Sequence, residues 1–131
     1  MRYTLPAILA LTAAVAACAP SASGPVPTDR LYTDIDRDGT TITGRYDPAT
    51  FTSAQVRNMV SSVVCTQPGL TGYAEAAVDG QVRFSVTCSN GNKYGPSAGI
   101  NFFKTSPTSV NYAATFSANG AIQQTQGTLD I

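Results

Sequence analysis

The chain has 131 residues, with 8 basic and 8 acidic side chains and no histidine. Only 12% of the residues are charged and 43% are hydrophobic, which is unlike a polybasic nucleic-acid binder and unlike a charge-rich disordered chain. The lack of histidine removes the commonest general base and the commonest metal ligand. We therefore expect a protein that is not an enzyme, needs no cofactor and has no nucleic-acid partner.

The first residues are organised like a secretory signal. Arg2 is followed by an apolar stretch from Leu5 to Val15 and then by small residues that end at Cys18. The apolar stretch is shorter than the ~20 residues that a membrane-spanning helix needs. The sequence Val15-Ala16-Ala17-Cys18 resembles the lipobox of bacterial lipoproteins.

This resemblance implies a lipid anchor. In bacterial lipoproteins the signal peptide, here residues 1–17, is cleaved before the cysteine. The cysteine sulfur then receives a diacylglycerol, and its new amine receives a further chain such as palmitate. Because two or more acyl chains anchor a protein stably, Cys18 would hold the chain on the membrane. The residue after the cysteine is Ala19 rather than Asp, which implies the outer membrane of the cell envelope.

Residues 18–30 have the composition of a flexible tether. They contain three prolines among serine, alanine and glycine, and such a segment forms neither a helix nor a core. Fully extended, it would reach roughly 35 Å from the bilayer. We expect a single small domain in residues 31–131.

The first predicted hairpin pairs residues 31–36 with residues 40–46. Between them, Asp34, Asp36 and Asp38 alternate before Gly39, as in the opening of a calcium loop. An EF-hand counted from Asp34 requires Glu at its twelfth position, and Arg45, which repels a cation, stands there. The other interpretation is a polar hairpin turn. Ion or small-ligand binding by residues 34–38 is kept as the alternative function.

One helix is predicted over about residues 52–65. Valine and methionine recur on one face at Val56, Met59, Val60, Val63 and Val64. Thr52 and Gln55 have the spacing of a capping box, and Phe51 and Val56 have that of a hydrophobic staple. Valine is a poor helix former, so the helix must be held by packing on a sheet.

The remaining chain predicts hairpins at Asp79-Gly80 and Asn119-Gly120, with a further strand over residues 98–104. A three-residue bulged loop at the first turn would place Glu75 opposite Arg83 on the outer face and keep its charge out of the core. The same kind of loop at the second turn would place Ile122 opposite Phe116. The predicted fold class is therefore α+β, a mostly antiparallel sheet of hairpins with one packed helix.

The other two cysteines, Cys65 and Cys88, form an even pair. In an oxidising compartment such a pair predicts a disulfide, which here would join the end of the helix to the end of a strand. Neither a redox pair nor a soft-metal site is favoured, because the two are not in a CxxC arrangement.

No catalytic, cofactor-binding or firm metal site emerges from the sequence. Aromatic residues, including Phe102-Phe103, and the loop at residues 90–96 have the composition of a contact surface, or alternatively of a core and a simple turn. We expect a lipid-anchored envelope protein that acts as a noncatalytic accessory or protein-interaction module, with an envelope protein as its partner.

Overall fold

The computed structural model describes residues 29–131, which form a seven-stranded antiparallel sheet with one short helix. The strands lie in the order β3-β4-β2-β1-β5-β6-β7 across the sheet. Their bounds are β1 (Arg30–Ile35), β2 (Thr41–Tyr46), β3 (Leu70–Val78), β4 (Gln81–Cys88), β5 (Gly99–Ser106), β6 (Ser109–Ala118) and β7 (Ala121–Asp130). The antiparallel sheet and the single helix were predicted, but strands dominate so strongly that the fold is mostly β rather than α+β.

The helix begins where the capping pattern predicts. Helix α1 (Ser53–Met59) follows the N-cap Thr52, whose hydroxyl oxygen accepts from the backbone N–H of Gln55 at 3.1 Å. The Gln55 side-chain oxygen accepts from the Thr52 N–H at 3.0 Å, which completes the capping box. The helix continues as a π-helical segment, Val60–Val64, closed by a bond from Cys65 N–H to the Val60 carbonyl.

The core lies between this helix and one face of the sheet, which we call the inner face. All five predicted helix residues, from Val56 to Val64, are at most 4% exposed. They belong to one cluster with buried side chains of β1, β2, β4, β5 and β6, among them Leu31, Ile42, Val86 and Phe102. Within the predicted first hairpin, Ile35 and Ile42 lie opposite each other, and both are buried. Burial of the valines on the sheet offsets their low helix propensity.

The predicted register of the β3–β4 hairpin is wrong. Asp79 and Gly80 both have positive φ, 54° and 77°, and form a two-residue turn closed by Val78 and Gln81. Such turns match the right-handed twist of the strands. Glu75 consequently lies opposite Phe84 on the inner face, not opposite Arg83. The burial cost assumed for this register does not arise, because Glu75 lies in an exposed, hydrogen-bonded position.

The β6–β7 register was also predicted wrongly, for the same reason. Asn119 and Gly120 have φ values of 53° and 76°, and the closing pair is Ala118 and Ala121. Ile122 therefore faces away from the core opposite Ser117 and is 71% exposed. Within the described part of the chain, no helix is long and apolar enough to cross a membrane.

Candidate functional site

The helix packs on the inner face of the sheet and leaves the outer face uncovered. Side chains alternate between the two faces of a strand. In residues 29–131, the fully buried strand residues all occupy inner-face positions, and the outer-face positions are exposed or half-buried. In β1, β2 and β4 these outer positions include Tyr32, Asp34, Thr43, Arg45 and Arg83. The uncovered face of the sheet is therefore accessible to a binding partner.

Two arginines lie directly opposite each other on this face. Arg45 of β2 pairs with Arg83 of β4, and Tyr32 of β1 pairs with Arg45 on its other side. These three side chains form a continuous row, which we call the arginine row. Like charges directly opposite on neighbouring strands destabilise a sheet. The register pair itself is therefore not a source of stability, although the charge of Arg45 also interacts with the nearby carboxylate of Asp34.

The arginine row lines a shallow trough of about 380 Å³ in the sheet surface. Asp34 lies at the same trough, one row away from the arginines. Burial raises the pKa of Asp34, and the nearby charge of Arg45 acts in the opposite direction. The trough therefore holds two guanidinium groups against one carboxylate, a local excess of positive charge in a chain with no net charge.

A third cation, Arg30, extends the row along β1. Arg30 pairs with Phe103 of β5, and its guanidinium carbon lies 4.5 Å from the centroid of the Phe103 ring. Arg30 also forms an ion pair with Asp29 at 3.8 Å. Phe102 is buried and Phe103 is half-buried on the opposite face, because adjacent side chains of a strand alternate between its faces. The outer face thus combines arginines with two half-buried aromatic side chains, Tyr32 and Phe103.

The predicted calcium residues do not converge in the structure. Asp34 lies on the outer face, whereas the Asp36 carboxylate accepts from the backbone N–H of Thr40 at 2.9 Å. That bond is the main reason that the pKa of Asp36 is lowered. Asp38 lies in the exposed turn. Among residues 29–131 no group of three or more acidic or cysteine side chains is arranged to hold a metal ion. If residues 34–38 bound calcium, added calcium would raise the melting temperature.

The structure reveals a carboxylate network on the inner side that sequence reasoning missed. One oxygen of Glu75 accepts hydrogen bonds from the hydroxyls of Tyr46 at 2.8 Å, Ser53 at 2.7 Å and Tyr73 at 2.5 Å. Arg57 lies over the Tyr73 ring, 4.2 Å from its centroid. The network joins β2, β3 and the first turn of α1. The signal in the sequence was the Asp79-Gly80 turn, whose two-residue form places Glu75 on this side.

The pKa values of this network follow from its geometry. Burial raises the pKa of Glu75, but the hydroxyl donors and Arg57 outweigh that effect and leave the pKa below its usual value. Burial and the hydrogen bond to Glu75 raise the pKa of Tyr46 to about 12. The same two causes raise the pKa of Tyr73. At neutral pH the network therefore consists of an ionised carboxylate and neutral hydroxyl donors, which is a structural arrangement.

The lowered pKa makes Glu75 a source of stability that acid removes. A carboxylate with a depressed pKa stabilises the fold above its unfolded-state pKa, and this contribution is lost as pH falls through the folded-state value. We expect Glu75→Gln to lower the melting temperature at pH 7 by a few degrees. The loss in free energy of unfolding should be at most about 1 kcal/mol, because the group is exposed and screened. The two proteins should converge as the pH falls through the folded-state pKa of Glu75, which lies below its usual value, because the wild-type carboxylate is then protonated as well. A difference in melting temperature that is constant from pH 7 to pH 3 would contradict this role.

The predicted disulfide is present. Cys65 and Cys88 are bonded, with their Cα atoms 5.4 Å apart, and both are buried. The bond joins the residue after the π-helical segment to the last residue of β4. Cys18, the predicted lipidation site, lies outside the described residues.

The loop at residues 90–96, predicted as a contact surface or a simple turn, is fixed by one asparagine. The Asn92 amide nitrogen donates to the Gly39 carbonyl at 2.7 Å, which ties the loop to the β1–β2 turn. Its side-chain oxygen accepts from the N–H of Gly95 at 2.7 Å. The Tyr94 ring packs against Phe116, 5.3 Å between centroids. These contacts give the loop a structural role.

The chain matches no protein-family model, no curated protein and no solved structure. A function for this chain is therefore inferred from the geometry of the outer face.

Proposed function

We propose that this chain is a noncatalytic protein-interaction module of the bacterial cell envelope, anchored through lipid on Cys18, whose outer face binds an acidic segment of an envelope protein. The observation that carries the proposal is the direct opposition of Arg45 and Arg83 on an open sheet face. A bound carboxylate between the two guanidinium groups would offset their repulsion. Relief of the repulsion between the two arginines would then contribute to the free energy of binding.

The chemistry of the trough favours a carboxylate ligand. Arginine presents a planar fork of donors that matches the two oxygens of Asp or Glu. Tyr32 beside Arg45 supplies a ring that suits protein contacts. Asp34 at one side of the trough repels an incoming acid and so directs it toward Arg83. The trough is shallow, which suits a side chain carried on a protein surface better than an enclosed small molecule.

The anchor and tether support an envelope partner. A lipid on Cys18 would confine the domain to the membrane, and the segment from residue 18 to residue 30 would let it reach proteins within roughly 35 Å of the surface. Replacing Cys18 by Ser should release the chain from membranes, and retention of the serine variant on membranes would contradict the anchor.

Arg83→Glu tests the proposal because it separates binding from folding. The substitution replaces a like-charge pair by an attractive pair with Arg45, so we expect stability to rise by about 0.5 kcal/mol. Binding should fall by at least about tenfold, since a favourable charge contact becomes a repulsive one. The measurement pairs a melting curve with affinity for a model acidic peptide, such as an oligoglutamate, at low and physiological salt.

Arg37→Glu is the matched control, because this substitution makes the same change in charge. Arg37 lies in the exposed β1–β2 turn, away from the trough. We expect it to reduce peptide binding by less than about twofold through the change in net charge alone. Equal losses of binding in the two variants would show that only net charge matters and would overturn the proposed site.

A further inference from the structure

Strand β7 is an edge strand with an unprotected outer side. It is the last strand of the sheet, so among the described residues only β6 pairs with it. Every residue from Ala121 to Gln126 is exposed, and the strand has no charged residue before Asp130. A long, flat edge without charges or proline is a template for pairing with another strand.

The opposite edge of the sheet is protected in ways that β7 is not. Strand β3 has an irregularity between Thr71 and Ala74, where Gly72 has a φ of 68°. It also carries Glu75 on the inner side. Bulges and inward charges are two of the devices that prevent strands from adding to an edge. In contrast, β7 pairs with β6 without interruption from Ala121 to Asp130.

The free backbone groups of β7 can be assigned from two observations. The turn at Asn119-Gly120 closes with Ala118 and Ala121 as a hydrogen-bonded pair. At the other end, Ile131 N–H donates to the Thr108 carbonyl at 2.9 Å. Both place the odd-numbered residues in bonded pairs with β6, because such pairs alternate along an antiparallel ladder. The N–H and C=O groups that point away from the sheet belong to Ile122, Gln124, Gln126 and Thr128.

We propose that β7 pairs antiparallel with β7 of a second copy of this chain, with Gln124 opposite Gln126 of the other copy. This register brings outward-pointing residues of one copy against outward-pointing residues of the other, so each pair exchanges two backbone hydrogen bonds. The two-fold axis then passes midway between the Thr125 residues of the two copies. Ile122 then lies opposite Thr128, a β-branched partner on the same face.

Other occupants and registers fit less well. A shift that centres the axis on Gln126 would place exposed Ile122 against the charge of Asp130. A shift by one residue would set outward groups against groups already bonded to β6. The chain has no net charge, so two copies do not repel each other at long range. The dimer would join two outer faces into one continuous sheet surface, and the proposal does not depend on what that surface binds.

A single cysteine at Thr125 reports this register. Opposed residues of a non-hydrogen-bonded antiparallel pair have Cα atoms about 4.5 Å apart, within the range of a disulfide. We expect the full-length Thr125→Cys chain, oxidised in cells, to form a dimer on non-reducing electrophoresis. The parent chain is the control for dimers formed through Cys18.

Charges at the neighbouring positions provide a matched pair of variants in the Thr125→Cys background. Gln124→Lys with Gln126→Lys would set lysine against lysine twice across the axis, whereas Gln124→Lys with Gln126→Glu would set lysine against glutamate twice. We expect a roughly tenfold lower dimer yield for the lysine pair, because both cross-strand contacts change sign. Protease resistance of each variant checks its folding.

The proposal is overturned if the Thr125 variant forms no more dimer than the parent chain. It is also overturned if folded lysine–lysine and lysine–glutamate variants give equal yields, or if the cysteine joins a different protein instead of a second copy.

Discussion

Replacing Cys65 and Cys88 together by alanine is expected to lower the free energy of unfolding by about 3.5 kcal/mol in the chain-entropy treatment of a disulfide. The bond closes a loop between residues separated by 23 positions. That loop contains all of β3 and most of β4. Removing the disulfide therefore increases the conformational freedom of the unfolded chain more than it disturbs native contacts. In a domain of this size the melting temperature should fall by roughly 15 °C.

Urea unfolding followed by circular dichroism measures this loss. The wild-type chain treated with a reducing agent should unfold near the midpoint of the double-alanine variant, because both lack the same covalent link. A single free cysteine is avoided by replacing both residues. An unchanged midpoint in the double variant would show that the helix end and β4 are held by packing alone.

Gly44→Ala should be the most damaging small substitution within the sheet. A Cβ at residue 44 of β2 would lie 2.4 Å from the Phe84 ring and 2.6 Å from the Tyr32 carbonyl oxygen. Phe84 is only 4% exposed, and the carbonyl belongs to the neighbouring strand, so neither neighbour can easily move. Overpacking of this kind costs about 1–3 kcal/mol, and we expect the upper part of that range.

Gly127→Ala is the control because the added methyl would meet an equally close neighbour that can move. Its Cβ would lie 2.4 Å from the Tyr112 hydroxyl oxygen. Tyr112 is half-buried on β6, next to the edge strand, so we expect its side chain to move toward solvent. We expect a loss of less than about 1 kcal/mol in thermal unfolding. Similar losses for both alanine variants would contradict the rigid packing of Phe84 on Gly44.

The elements that were predictable depend on local signals. Thr52 and Gln55 specify where the helix begins because the capping box is formed by residues only three positions apart in the chain. The period of the valines specifies which helix face is buried. The strand at β2 was predicted over residues 40–46, and the cysteine pair follows from its even count.

The hairpin registers were not predictable from burial alone. The preference for a bulged loop assumed that Glu75 would be buried without partners on the inner face. In the fold, the hydroxyls of Tyr46, Ser53 and Tyr73 lie there and stabilise the carboxylate. Two of those hydroxyls come from other elements, so the sequence of the hairpin could not indicate them. The positive φ of Asp79 and Gly80 decided the register instead.

The candidate binding site could not be predicted because it depends on strands that are not consecutive. Strand β2 pairs with β4 rather than with β3, and that pairing brings Arg45 against Arg83. Hairpin reasoning links only neighbouring strands along the chain. The acidic segment at residues 34–38 drew attention because its residues are adjacent in sequence, whereas the arginine row is assembled only by the sheet.

The most direct test of the proposed binding face is site-specific photocrosslinking in cells. A photoreactive amino acid replaces Thr43, which is exposed at the trough, and in a second strain it replaces Ser62, which is exposed on the helix. We expect the probe at Thr43 to capture an envelope protein through a peptide rich in Asp and Glu, and Arg83→Glu to abolish that adduct. Capture from Ser62 but not from Thr43, or an adduct at Thr43 that survives Arg83→Glu, would contradict binding through the arginine row.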